Sequence, residues 1–401
     1  MLTVGAQQLH DKAEEAWTRS WEWYFHPATG LFYDYLCSTE AAQRFRYLPT
    51  PEEIARQWPN PNGWGSGMED SSINAGVWMG MICDRFEVTG EEHLREAASR
   101  VYDGMALCAT VSPSAGLVLR SVSPADAKSH FIESSRDQYT WHAYGLWRFS
   151  RSELANAAQR ETIRTIITAV CERLERNITA GKTDYHICRE DGEPGLVDKM
   201  WHVDPHEVAR LPMLYAIGAD LTGEAHWWGK YREYAQQAAQ ESLQVPASMR
   251  TAYAFLQEQV SLEALHELEG NEAQLKAAWL RGLEFVGQRV EEFPAQCREY
   301  APQDVTAVDM DWRHWEFVNQ SGYHVPRWPE ALRQEDAAVR QPGEALLAQL
   351  MCPTWQPSEE WMALLAQALG QVDYSASILY GIFYPLAAYW RAVRRGILRL
   401  P

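Results

Sequence analysis

Residues 71–109, SSINAGVWMGMICDRFEVTGEEHLREAASRVYDGMALCA, decide the fold. The first half is apolar on nearly every side, with Ile73, Val77, Trp78, Met79, Met81, Ile82 and Phe86, so it reads as a helix buried all round. From residue 91 the pattern narrows to one stripe, Leu94, Ala97, Ala98, Val101, Met105 and Cys108, at the spacing of a helix with one wet face. Only the turn Glu87-Val88-Thr89-Gly90-Glu91 separates the two, which predicts an αα-hairpin of one inner and one outer helix.

Outward from this stretch the alternation repeats. Inner helices are expected at 134–150, 205–221 and 248–268, outer ones at 156–177, 224–243 and 271–290, joined by the short turns Ser150–Glu153, Leu221–Glu224 and Leu268–Asn271. A short helix at 343–351, a striped one at 358–370 and an aromatic one at 374–395 follow, and helix 5–25 supplies the last outer member. The expected fold is all-α: an (α/α)6 barrel, a toroid of six helical hairpins, forming one domain over 1–401. An open solenoid of stacked pairs is the rival, disfavoured by the all-round burial of the inner helices and by a terminal helix free to close the circle. Gly116–Val122 and Tyr185–Arg189 read as short ribbons, and 292–342, rich in Pro, Trp and charge, as a long loop insertion or lid.

Composition narrows the function. Lys and Arg total 36 against 54 Asp and Glu, a net charge of −18, which argues against nucleic acid and anionic membrane as partners. Trp and Tyr number 18 each, many of them in loops beside acids, a mixture suited to a carbohydrate substrate whose C–H faces stack while its hydroxyls hydrogen-bond. The seven cysteines are scattered without a CxxC pair and read as reduced core residues of a cytoplasmic protein; no secretion signal or membrane-spanning run is expected. No GxGxxG, P-loop, GxSxG or HExxH motif occurs, and no cofactor is expected.

Short turns at one end of the hairpins put the long loops, and the inner-helix N-termini, at the other. Three segments there carry chemistry. In 130–152, HFIESSRDQYTWHAYGLWRFSRS, Asp137 enters the first helical turn, where free N–H groups favour a carboxylate, and Arg136 is placed to bind an acidic sugar. The bland alternative is a capped helix with a surface ion pair. His142 and Tyr144 lie deeper and read as core. In 64–74, WGSGMEDSSIN, Glu69 and Asp70 reach one helix start as adjacent acids, an arrangement that pushes one pKa up; a plain N-cap accounts for one of the two. In 198–210, DKMWHVDPHEVAR, His202, Asp204, His206 and Glu207 crowd a third start. The proline keeps both imidazoles off one helical face, so substrate binding or proton transfer is expected rather than metal. Weaker candidates are Asp309, Asp311, Arg313 and His314, and Asp373, Tyr374 and Ser375.

The runs GMEDSSINAGVWMGMICDRFEVTGEEHL and SHFIESSRDQYTWHAYGLWRFSRS resemble the six-hairpin glycosidase-like superfamily over essentially 65–290 and 345–395. The resemblance implies an (α/α)6 toroid. Among its members the unsaturated glucuronyl and rhamnogalacturonyl hydrolases keep acids at inner-helix starts, and Asp137 and Asp70 lie in comparable places; their glycine-rich segment is replaced here by Ser135-Arg136-Asp137-Gln138. The chain is also similar to bacterial toroid proteins outside those enzymes. The leading expectation is a glycoside hydrolase for short, acidic oligosaccharides. Asp137 and one of Glu69 or Asp70 would be acid and base, about 6.5–9.5 Å apart if the mechanism inverts. Arg136, His202, Asp204, His206 and Glu207 would bind substrate, and Trp64, Trp141 and Trp201 would stack against it. The alternatives are a uronate lyase using His206 or Tyr139 as base, a non-catalytic carbohydrate-binding toroid, and sugar epimerisation on the same fold, for which no convincing pair of histidines stands at suitable helix starts.

Overall fold

The structure, a computed structural model, describes residues 3–249, 251–291, 293, 297 and 299–401. It is an (α/α)6 toroid. The inner helices are Ser71–Thr89, Arg136–Arg151, Arg210–Thr222, Ala252–Leu268, Glu330–Met351 and Phe383–Arg394, each packed on the next and the last on the first. The outer helices are Thr3–Trp23, His93–Thr110, Ala157–Asn177, Ala225–Glu241, Ala273–Val290 and Glu359–Gly370. The N-terminal helix completes the outer layer: His10 Nδ1 lies 2.9 Å from the Tyr389 hydroxyl, and Trp17 packs edge-on against Trp78. The open solenoid is thereby excluded.

The short turns end helices as their sequence requires. Gly90 and Gly223 close the first and third inner helices at φ of +63° and +74°, a conformation that lets the chain reverse at once into the outer helix. All parallel inner helices therefore point their N-termini to the same end of the ring. No helix among the described residues is long and apolar enough to cross a membrane.

Four expectations fail locally, each for a visible reason. The fifth inner helix starts at Glu330, not 343, because Pro342 does not end it: the Ala338 carbonyl that loses its helical donor accepts from Gln371 Nε2 at 3.2 Å. The expected helix at 374–395 is α-helical only from Phe383, after a short 3₁₀ turn. Its lead-in is extended alongside 34–36, with Leu36 N–H donating to the Ile378 carbonyl and the Tyr24 hydroxyl 3.0 Å from those of Ser377 and Leu379.

Segment 116–122 forms no ribbon, since other groups take up its backbone: Tyr139 Oη accepts from the Val118 N–H, Ser134 donates to the Val118 carbonyl, and Tyr33 to that of Val122. Segment 185–189 holds only one bridge, His186 to Lys199. The two ladders that do form are Phe25–His26 with Leu31–Phe32, and the hairpin Phe317–Gln320 with Tyr323–Pro326. This second hairpin lies inside the expected insertion and stands over the N-terminal end of the ring.

Candidate active site

A cavity of about 360 Å³ opens at the inner-helix N-termini. Trp64, Gly65, Glu69 and Asp70 form one wall, and the hairpin contributes Val318, Gln320, Val325 and Pro326. The fifth inner helix supplies Asp336 and Arg340, and Tyr380 lies between them and the first helix.

Two acids owe their position to a third that sequence reading missed. Asp34, fully buried, accepts from the backbone N–H groups of Glu69 at 2.7 Å and Asp70 at 3.2 Å, and from Asn74 Nδ2 at 3.2 Å. Its own carbonyl accepts from Tyr380 N–H, so one residue ties together the starts of the first and last inner helices. Burial, with the charges of Asp70 and Glu69 adding to it, holds the Asp34 carboxyl well above the usual range.

Glu69 lies half-buried with one oxygen 3.3 Å from Gly65 N–H. Burial and the neighbouring Asp70 push its carboxyl up to about 8, so it carries its proton at neutral pH. Asp70 accepts from the Tyr380 hydroxyl at 3.0 Å and Gln138 Nε2 at 3.3 Å, with Arg120 and Arg340 each 4.0 Å away. Arg340 donates to Tyr380 and to Glu344, the latter at 2.6 Å, and lies over the rings of Tyr253, Tyr380 and Tyr384. Burial raises Asp336 and takes Glu344 to about 7.

Gln138 bridges to the second half of the site, since Asp137 precedes it on the same helix. Asp137 is paired with Arg210 and accepts from the Tyr253 hydroxyl. Burial acts to raise its pKa, but Arg210 and Arg136 outweigh that and keep it below the usual carboxylate range, hence ionised. Tyr253, on the fourth inner helix, thus lies beside Asp137 at the start of the second, Asp70 at the start of the first and Arg340 on the fifth. Ser135 caps the Asp137 helix through Gln138 N–H, while Asp70, at the cap position of its own helix, makes no side-chain capping bond. A pure capping role describes neither acid.

The remaining expected residues divide. Arg136 is engaged by Glu207, Nε to Oε1 at 2.5 Å, and is not free to take a substrate carboxylate. His206 lies beside Glu207 at 3.7 Å with its Nδ1 buried and unpartnered; burial lowers its pKa, leaving a neutral imidazole. His202 and Asp204 are exposed outside this pair.

Trp64 lines the cavity, whereas Trp141 is 1% exposed and edge-on to Tyr144, and Trp201 is 6% exposed against Tyr234. Both were expected as stacking surfaces and are interior packing instead. Tyr139, the alternative base, is fully buried, donating to the Gly116 carbonyl and accepting from Val118 N–H. His142 is core as expected, held neutral by burial and 3.2 Å from the Ser72 hydroxyl.

Among the weaker candidates, Arg313 clamps Glu53 and Asp311, His314 pairs with Asp309 at the surface, and Asp373 caps its own turn through Ser375. None lines the cavity. Asp336, Arg340 and Glu344, spaced four apart on one helix, and Tyr380 with Tyr384, also four apart, were the signal that went unread. No cluster of three or more metal-binding side chains occurs among the described residues.

A larger hollow of about 430 Å³ lies at the opposite end, lined by Glu87, Glu263, Arg391 and Arg394 among others. Its carboxylates and guanidiniums pair with one another: Asp84 is 2.6 Å from Arg391 and 2.8 Å from Arg148, and Glu263 is bound by Arg391 and Tyr144. Matched charges of this kind close the ring, with Glu267 beside them raised by burial and by Glu263.

No protein-family model matches the chain, and neither does any curated protein. Among solved structures it is similar to a sugar epimerase from a ruminal bacterium, with a TM-score of 0.54, 10% identity, and coverage of 97% of this chain and 98% of that one. A GH76A alpha-1,6-mannanase from Salegentibacter sp. HEL1_6 is more distant, with a TM-score of 0.39, 12% identity, and coverage of 86% and 99%. At these identities the likeness to the epimerase concerns the fold.

Proposed function

We propose that the protein is a carbohydrate-active enzyme, and specifically a glycoside hydrolase acting on short oligosaccharides with Glu69 as general acid and Asp137 as base or nucleophile. The observation that carries the reading is the split between these two carboxyls. Glu69 lines the cavity and carries its proton up to about pH 8, while Asp137, next to the Gln138 that bonds Asp70, is held ionised by Arg210 and Arg136. Two acids driven apart in this way suit cleavage of a glycosidic bond, where one must give a proton to the leaving oxygen while the other deals with the anomeric carbon.

Asp70, with Tyr380 and Gln138 on its two oxygens, would receive sugar hydroxyls and keep Glu69 protonated through its charge. Trp64 offers a ring face at the cavity wall. Arg333 and Arg340 line the cavity but are paired with Glu330 and Glu344, as Arg136 is with Glu207, so none of the three is free for an acidic sugar. The sugar epimerase that shares the fold has a carbohydrate substrate by its name, which agrees with this class.

The lyase alternative loses Tyr139 and the free Arg136 it needs, and keeps only His206. A broad panel of oligosaccharides, analysed for cleaved, unsaturated and epimerised products, tests the reading. Hydrolysis by the natural protein that falls about 1,000-fold in Glu69→Gln supports it. Unsaturated or epimerised products, or full activity in the variant, would remove Glu69 from the proposed role.

A further inference from the structure

Resting on that reading, we infer that Asp336 is a substrate-selecting residue of the site: its carboxylate accepts from a sugar hydroxyl and so decides which glycans are held. Asp336 stands on the fifth inner helix and lines the cavity together with Glu69 and Asp70. The helix offers it two cations, Arg333 one turn before and Arg340 one turn after, at the spacings where side chains on a helix meet. Neither is taken. Arg333 pairs with Glu330, and Arg340 turns the other way, to Glu344 at 2.6 Å and to the Tyr380 hydroxyl. Arg327, the third guanidinium of the lining, lies 3.7 Å from Glu316.

Asp336 is thus left over. Among the described residues it makes no ion pair, and its Oδ1 is buried without a hydrogen-bond partner. Burial raises its pKa, Arg340 acts against this and Asp70 with it, so the fold desolvates this carboxyl without a bond in return. The other acids of the lining are placed differently: Glu69 accepts from Gly65 N–H, and Asp70 from Tyr380 and Gln138. What Asp336 lacks is a donor. The hollow of about 360 Å³ that it lines has room for a sugar ring, whose hydroxyls supply one. A neutral sugar suits it better than an acidic one, because the guanidiniums are already paired and the free group is itself an anion.

The test takes the shortest oligosaccharide cleaved in the panel above, and its analogues with one hydroxyl at a time replaced by hydrogen, to the natural protein and to Asp336→Ala. At one hydroxyl position the natural protein should lose about 10- to 100-fold in kcat/KM, the effect of one hydrogen bond to a charged group. Asp336→Ala, lowered by a similar factor on the parent sugar, should lose no more than about 2-fold further on that analogue. Its thermal unfolding should come at the same temperature or higher, since an unpaired carboxyl has gone. Undiminished turnover in Asp336→Ala, losses that multiply at every position, or unfolding at a lower temperature each overturn the inference while leaving the hydrolase reading intact. A folded natural protein that cleaves nothing in the panel overturns the hydrolase reading itself.

Discussion

The two ends of the inner ring use the same residue types to opposite effect. At the C-terminal end Asp84, from the first inner helix, meets Arg148 from the second and Arg391 from the last, and Arg391 also reaches Glu263 on the fourth. Burial acts to raise the Asp84 pKa, but three guanidiniums overcome it and hold the carboxyl below its usual range. At the N-terminal end Asp34, Glu69, Asp70, Asp336 and Glu344 gather around Arg120 and Arg340, and burial wins: Glu69 rises to about 8 and Glu344 to about 7. The lesson is that charge by itself does not mark a site. The imbalance between buried carboxyls and buried cations does, because matched pairs serve closure whereas surplus acids hold protons that a substrate can take.

The sharpest way to break this contrast is to remove one ionisable group from each end. Glu69→Gln should lower kcat by about 1,000-fold and leave stability unchanged or higher, since it deletes a desolvated carboxyl. Arg391→Met should do the reverse, costing about 3–5 kcal/mol in denaturant unfolding because it strands Asp84 and Glu263 in the interior; kcat per folded molecule should hold. A variant that fails in both assays at either end would show that the ends are not separable.

The same contrast has a pH signature of opposite sign at the two ends. The folded Glu69 pKa of about 8 lies above its unfolded value, so the folded state binds the extra proton and stability falls as pH rises from the ordinary carboxylate range to about 8. Turnover that needs its proton falls over the upper part of that range. The folded Asp84 pKa lies below its unfolded value, so its contribution is complete above about pH 4 and is lost as pH drops through the lowered folded value. Urea midpoints measured from pH 3 to 9 should therefore show an acid limb that is diminished in Asp84→Asn and a slope toward alkaline pH that is diminished in Glu69→Gln.

The ring was legible because helix period and turn chemistry act locally. The first, third and fourth inner segments are apolar on most sides, and the reversals are written in a few residues, as at Gly90 and Gly223. The errors came where a distant group decides. Pro342 reads as a stop until Gln371, from the next helix, takes over the freed Ala338 carbonyl. Segment 116–122 reads as a strand until the hydroxyls of Tyr33, Ser134 and Tyr139 satisfy its backbone.

At the site, Glu69, Asp70 and Asp137 could be singled out because acids at a helix start break the apolar pattern. Asp34 could not, since nothing near it in sequence announces that its carboxyl will hold the backbone of residues 69 and 70. Likewise Arg136 looked free for a ligand because its partner Glu207 lies on the next inner segment.

Asp34 gives the smallest of the expected effects and the finest test of the comparison. It touches no cavity, but it accepts from the N–H groups of both Glu69 and Asp70, and its carboxyl adds to the surplus of acid. Asp34→Asn keeps the shape yet turns one acceptor into a donor, which cannot serve both N–H groups and Asn74 Nδ2 at once. The acids should then shift relative to the substrate, lowering kcat by about 10-fold with little change in KM. Because Asp70 raises Glu69, moving the two relative to each other should also shift the alkaline limb of the pH–rate profile. A purely structural Asp34 would alter unfolding and expression but leave that limb where it was, so the profile separates a residue that positions the acids from one that merely holds the loop.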